Sequence, residues 1–130
     1  MKKTVSLLML IVIAFSLFSC VSRATKSQKQ QIADTMAEYE NAVISVGKQM
    51  YTLADLVESG DITAEAYEYY DDRFMQLEQI RKTLKIKYDN EFVRFTKEDA
   101  SEFLASYEEP MQSAKQYLED VLEFIEKAKG

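Results

Sequence analysis

The sequence predicts an all-α protein: an antiparallel up-down-up bundle of three helices with coiled-coil-like seams, the third kinked or broken near Pro110. Three observations predict it. Apolar residues recur in alternating steps of three and four over three long stretches between residues 32 and 128, the spacing that keeps one helix face against a partner. No run shows the period-two alternation or the Val/Ile/Thr enrichment of a strand. With three glycines and one proline in 130 residues, the connections are short, and short connections join antiparallel neighbours.

The first helix is carried by Ile32, Met36, Tyr39, Val43, Val46, Met50, Leu53 and Val57, a seam of nearly four heptads. Ser59-Gly60 ends it, glycine being suited to the left-handed position that closes a helix. The second starts with Thr63 as N-cap and Glu65 in the first turn, where a carboxylate favours the positive helix end. Ile62 and Tyr67 are placed to form a hydrophobic staple. Its seam reads Tyr67, Tyr70, Phe74, Leu77, Leu84 and Tyr88, with Ile80 taking the buried place beside Arg81; Asp89-Asn90 makes the stop.

Thr96 caps the third helix, with Asp99 three residues on in a capping-box arrangement. Ala100, Leu104, Tyr107, Met111, Ala114, Leu118, Val121, Ile125 and Ala128 form its seam. Pro110 lies inside that seam. An interior proline removes a hydrogen bond and crowds the preceding turn, so a kink or break is expected near Ser106–Glu109. The row Phe103, Pro110, Tyr117, Phe124 sits one position before Leu104, Met111, Leu118 and Ile125 and widens the apolar stripe. Either it is the third buried position of a three-helix core, or it is a stripe for a partner or for self-association.

Ahead of the helices, Lys2 and Lys3 precede Val5–Phe18, 14 residues interrupted only by Ser6 and Ser16. That run is short for a hydrocarbon core of roughly 30 Å, which takes about 20 apolar residues, and it has the length of a signal-peptide h-region. It ends in Leu17-Phe18-Ser19-Cys20. Residues 1–20 thus resemble a bacterial lipoprotein signal peptide with its lipobox (an aliphatic residue, a variable one, a small one, then cysteine), Phe18 being looser than the usual Ala or Ser. The resemblance reaches no further than residue 20. It implies that the Cys20 sulfur receives a diacylglyceryl group, that the Ser19–Cys20 bond is cut, and that the freed amine is open to a further acyl chain such as palmitate. Each buried methylene contributes about 0.8 kcal/mol, so two or three chains make a membrane anchor where one would not. The domains expected are therefore a cleaved signal at 1–19, a lipidated cysteine and polar tether at 20–31, and a helical bundle domain at 32–130. The same residues admit cleavage after Ala24 by an ordinary signal peptidase, an uncleaved anchor, or a buried N-terminal helix. The sole cysteine of the chain falling at the end of the apolar run favours the lipobox.

Composition narrows function. Without histidine there is no Ser-His-Asp or Cys-His system and no His-bearing zinc site, and one cysteine forms no internal disulfide. Few glycines leave nothing for a phosphate cradle. Asp71-Asp72 and Glu108-Glu109 are sequence neighbours, which point to different sides of a helix, so paired-carboxylate catalysis is not expected. Neither a cofactor nor a metal is expected. The formal net charge of −6 becomes −8 once Lys2 and Lys3 leave with the signal, which argues against nucleic acid.

Folding back the chain gives one near-neutral or basic end, with Arg23, Lys26, Lys29, Arg81, Lys82, Lys85, Lys87, Arg94 and Lys97 offset by nearby acids. The other end is acidic, with Asp55, Glu58, Asp61, Glu65, Glu68, Asp71 and Asp72 and no base among them. Acids at a helix start favour its dipole and keep a surface soluble; alternatively this tip meets a basic partner or a divalent cation, although no EF-hand pattern is present. The function expected is a non-enzymatic, lipid-anchored lipoprotein of the bacterial cell envelope that binds another macromolecule, as an adhesin, an inhibitor or immunity protein, or an accessory subunit. The alternative is a structural or spacer lipoprotein acting through rod shape and self-association. Val21 in place of aspartate after the cysteine favours the outer membrane.

Overall fold

Three threonines start the helical stretches, each by the same local chemistry. Thr25 Oγ1 accepts from the Gln28 N–H while the Gln28 side chain accepts from the Thr25 N–H, each at 3.0 Å. Thr63 accepts from the Ala66 N–H at 3.1 Å. Thr96 and Asp99 repeat the reciprocal pair at 3.0 Å. Each satisfies N–H groups that have no partner inside the helix.

The computed structural model describes residues 22–130; Ser19, Cys20 and the apolar run before them lie outside the described residues. The helices are α1 (Lys26–Glu58), α2 (Ala64–Glu91), α3 (Lys97–Ala105) and α4 (Glu108–Lys129), with a 3-10 turn at Phe92–Arg94 between α2 and α3. No strand forms among the described residues; an isolated antiparallel bridge joins Arg23 to Thr96. α1 packs against α2, α3 and α4, and α2 against α4, so three helical layers share one core.

α1 ends as the glycine suggests. Gly60 has φ +81°, the Asp61 N–H donates to the Leu56 carbonyl at 2.9 Å and the Gly60 N–H to Val57 at 3.0 Å. This pair of bonds closes the last turn. The tightened turn also changes the seam: Leu56 is buried and Val57 only half so, the reverse of the four-three count. The remaining α1 core residues are Ile32, Tyr39, Val43, Val46, Met50 and Leu53, with Met36 packed at the edge.

Two other expectations are corrected. Residues 22–31 are not a free tether. Ala24 is buried, its N–H donates to the Phe95 carbonyl at 2.9 Å, and the Lys97 N–H donates to the Ser22 carbonyl at 3.0 Å. The helix begins at Lys26, six residues ahead of the first seam residue, because Thr25 and Gln28 cap it there. In the last stretch, the buried row is Ala100, Phe103, Tyr107, Ala114, Tyr117, Val121 and Ile125, with Leu104, Met111, Leu118 and Phe124 half-buried at its margin. A helix facing two others buries a wider stripe than a two-helix seam does, so the row of Phe103 and Tyr117 turns inward. The helix assignment is interrupted at Ser106-Tyr107. Pro110 falls in the first turn of α4, where its missing N–H removes no helical bond.

α2 buries only Leu77 and Leu84, while Tyr67, Tyr70, Phe74, Ile80 and Tyr88 pack half-buried against the core. Its position along the bundle is fixed by polar contacts as well. The Tyr39 hydroxyl, from α1, donates to the Leu77 carbonyl at 2.9 Å. The Tyr117 hydroxyl, from α4, donates to the Tyr70 carbonyl. Both rings are 1 % exposed. No buried side-chain nitrogen or oxygen among the described residues lacks a partner, the condition under which polar groups in a core are not a liability.

Candidate functional site

The acidic tip is built where α1 turns into α2. Asp55 and Glu58 lie in the last turns of α1, Asp61 in the loop, and Glu65, Glu68 and Asp72 in the first turns of α2; all six are exposed. Ser59 Oγ donates to Asp61 at 2.6 Å. The structure brings these carboxylates to one end without gathering them: among the described residues no three converge as metal ligands. α4 adds to the same end. Arg73 pairs with Asp120 at 3.3 Å and Lys127 with Glu123 at 3.0 Å, which leaves the local field acidic.

The row Phe103, Tyr117, Phe124, from α3 and α4, turns toward the other helices. Phe103 and Tyr117 are each 1 % exposed, and Phe124 packs its ring 4.9 Å from that of Tyr70. Phe103 stacks among Tyr107, Phe95 and Tyr88, with ring centroids 5.4, 5.3 and 6.2 Å away. Tyr117 meets Met50 Sδ at 3.4 Å, and the Arg73 guanidinium lies over its ring at 4.6 Å, a cation–π contact. Burial pushes the Tyr117 hydroxyl well above the usual phenol range. Phe103 and Tyr117 are therefore core, and Phe124 lies half-buried at its margin.

The surface that seam counting missed is the groove between α1 and α2. Its floor is Val43, Gly47, Met50 and Phe74, its walls Ile44, Tyr51 and Tyr67, and its volume about 530 Å³. Gly47 lies directly under Phe74: a Cβ there would stand 3.4 Å from the ring, at ordinary van der Waals distance. Ile44 and Tyr51 stay 48 % and 78 % exposed. Asp71, Glu78 and Lys48 rim the groove, and Glu78 is held by Arg81 at 2.9 Å. Chemically the groove offers an apolar floor with a border of mixed charge, which fits the apolar face of an amphipathic helix. A sequence signal existed: Ile44 and Tyr51 are seven apart on the otherwise polar face of α1. The Thr25 cap was similarly written in Thr25-Lys26-Ser27-Gln28.

No family model, no curated protein and no solved structure matches the chain. Among the described residues, no helix is long and apolar enough to cross a membrane.

Proposed function

We propose that the chain is a lipid-anchored lipoprotein of the bacterial cell envelope, on the outer membrane, without catalytic activity, whose helical domain binds another protein. The observation that carries the anchoring is the sole cysteine, Cys20, at the end of a 14-residue apolar run that follows two lysines. The binding half is supported by the exposed Ile44 and Tyr51 beside an apolar groove bordered by Lys48, Asp71 and Glu78. Its occupant is an amphipathic helix of the partner, apolar face inward. The domain is read as an up-down-up bundle. Tyr39 pairs with Leu77 and Gly47 with Phe74, while Tyr88 pairs with Phe103 and Tyr70 with Tyr117; both sets run in opposite senses. Tyr39 with Tyr107 and Met50 with Tyr117 run in the same sense. The interruption at Ser106-Tyr107 is assigned to Pro110, whose ring crowds the carbonyl of residue 106.

The anchoring is tested by expressing the full chain and Cys20→Ser in a bacterial host. The wild type should enter the detergent phase and carry the mass of a diacylglyceryl group on its N-terminal residue, and Cys20→Ser should stay in water. Identical partitioning of both would overturn the reading. For binding, a photo-crosslinking residue at position 51 should give one adduct of discrete mass that Ile44→Glu abolishes, and the same residue at position 119 should give none. Equal labelling at both positions refutes the groove. An adduct of twice the chain's own mass supports the spacer reading instead, with a second copy in the groove.

A further inference from the structure

The end of the domain where α1 begins is tied down closely. The Ser22 carbonyl, the Ala24 N–H and the Arg23 guanidinium bond to Lys97, Phe95 and Arg94 at 3.0, 2.9 and 3.0 Å. The Gln28 side chain, already part of the Thr25 cap, donates to the Lys97 carbonyl at 3.0 Å. These contacts fix residues 22–25 against the turn that joins α2 to α3. Val21 alone separates Ser22 from Cys20, and two residues span at most about 7 Å.

That length decides the geometry. The polar headgroup layer of one leaflet is roughly 5–7 Å thick, taken as half the difference between the whole bilayer and its hydrocarbon core. A lipid-bearing Cys20 places its glycerol at the inner edge of that layer, so a span of about 7 Å only just reaches water. The folded body cannot stand clear of the headgroups. The surface facing them is suited to the contact: Val93, in the Phe92–Arg94 turn, is 88 % exposed, and Arg23, Arg94 and Lys97 beside it are exposed. Glu91 and Glu98 lie nearby and are exposed too, while Asp99 is engaged as the cap of α3.

We propose that this base docks directly on the phospholipid surface, with Val93 at the boundary between headgroups and acyl chains and Arg23, Arg94 and Lys97 against lipid phosphates. The inference rests on the lipidation of Cys20 proposed above. Docking at this end holds the acidic tip away from the anionic surface, about the length of a 33-residue helix at 1.5 Å per residue.

Lipidated full-length protein has no free thiol, so Val93→Cys and Glu65→Cys each provide a single labelling site, and both replaced side chains are exposed. Each is spin-labelled and reconstituted in vesicles of phosphatidylethanolamine and phosphatidylglycerol, and collisions with a water-soluble nickel chelate are compared with those of oxygen. The label at 93 should be at least threefold less accessible to nickel than the label at 65. A ten-residue Gly/Ser insertion between Val21 and Ser22 should narrow that difference. Equal accessibility at 93 and 65 in protein that floats with the vesicles overturns the docking and leaves the anchoring intact. Protein that stays in the soluble fraction with a free thiol at Cys20 overturns both.

Discussion

Replacing the two glycines that shape the α1–α2 junction should shift stability in opposite directions. Gly47 is inside α1, where glycine costs roughly 0.5–1 kcal/mol relative to alanine. An added Cβ would meet Phe74 Cζ at 3.4 Å and Cε2 at 3.5 Å, ordinary van der Waals distances that contribute about 0.1–0.2 kcal/mol per pair. Gly47→Ala is therefore expected to stabilise by about 1 kcal/mol, which for a domain of this size raises Tm by roughly 4 °C. Gly60 has open space around its Cβ position but a φ of +81°, which costs an L-residue about 1–2 kcal/mol. Gly60→Ala should destabilise by about 1 kcal/mol. Urea unfolding followed by far-UV circular dichroism measures both. A destabilising Gly47→Ala would mean that Phe74 cannot yield at the contact; a neutral Gly60→Ala would mean that the left-handed turn is not what closes α1. Either outcome refutes the reasoning.

Tyr39→Phe removes the hydroxyl bond to the Leu77 carbonyl and should cost about 1 kcal/mol in the same assay, with the helix content unchanged. Raising pH should unfold the domain: burial lifts the Tyr39 and Tyr107 hydroxyls from 10.0 to about 12, so their neutral forms favour the folded state. That stability is intact below pH 10 and is lost as pH climbs to about 12, to be followed by denaturation midpoints across that window; a flat profile would contradict the burial. Thr96→Ala, which removes the cap of α3, should cost about 1 kcal/mol, whereas a value below a few tenths would mean that the capping box is not formed in solution.

Helix boundaries were legible because they are local. Thr63, Thr96 and Gly60 act through neighbours three or four residues away, and the structure uses each as its chemistry suggests. The a/d seam of α1 was legible for the same reason, except at Leu56, where the closing turn rotates the burial by one residue. What escaped depended on where another helix lies. For Phe103 and Tyr117 the sequence left a core position and a partner stripe open, and they turn inward because two helices flank them. Ile44 and Tyr51 border a groove because Phe74 comes to rest on Gly47, a contact between residues far apart in the chain. The bond between Ala24 and Phe95 is equally invisible to periodicity, and with it went the expectation of a polar tether at 20–31. Asp55, Glu58, Asp61, Glu65, Glu68 and Asp72 are exposed, but spacing along a helix could not say that they would stay apart.

The manner in which α2 is held has a consequence for how the protein can vary. Its two hydroxyl bonds end on the main-chain oxygens of Tyr70 and Leu77, seven residues apart, and a carbonyl is present whatever side chain occupies the position. Substituting the outward side chains of α2 unseats neither bond. The outer flank of that helix, from Tyr69 through Met75 to Ile86, can thus be rewritten for a new partner while the scaffold beneath keeps its alignment.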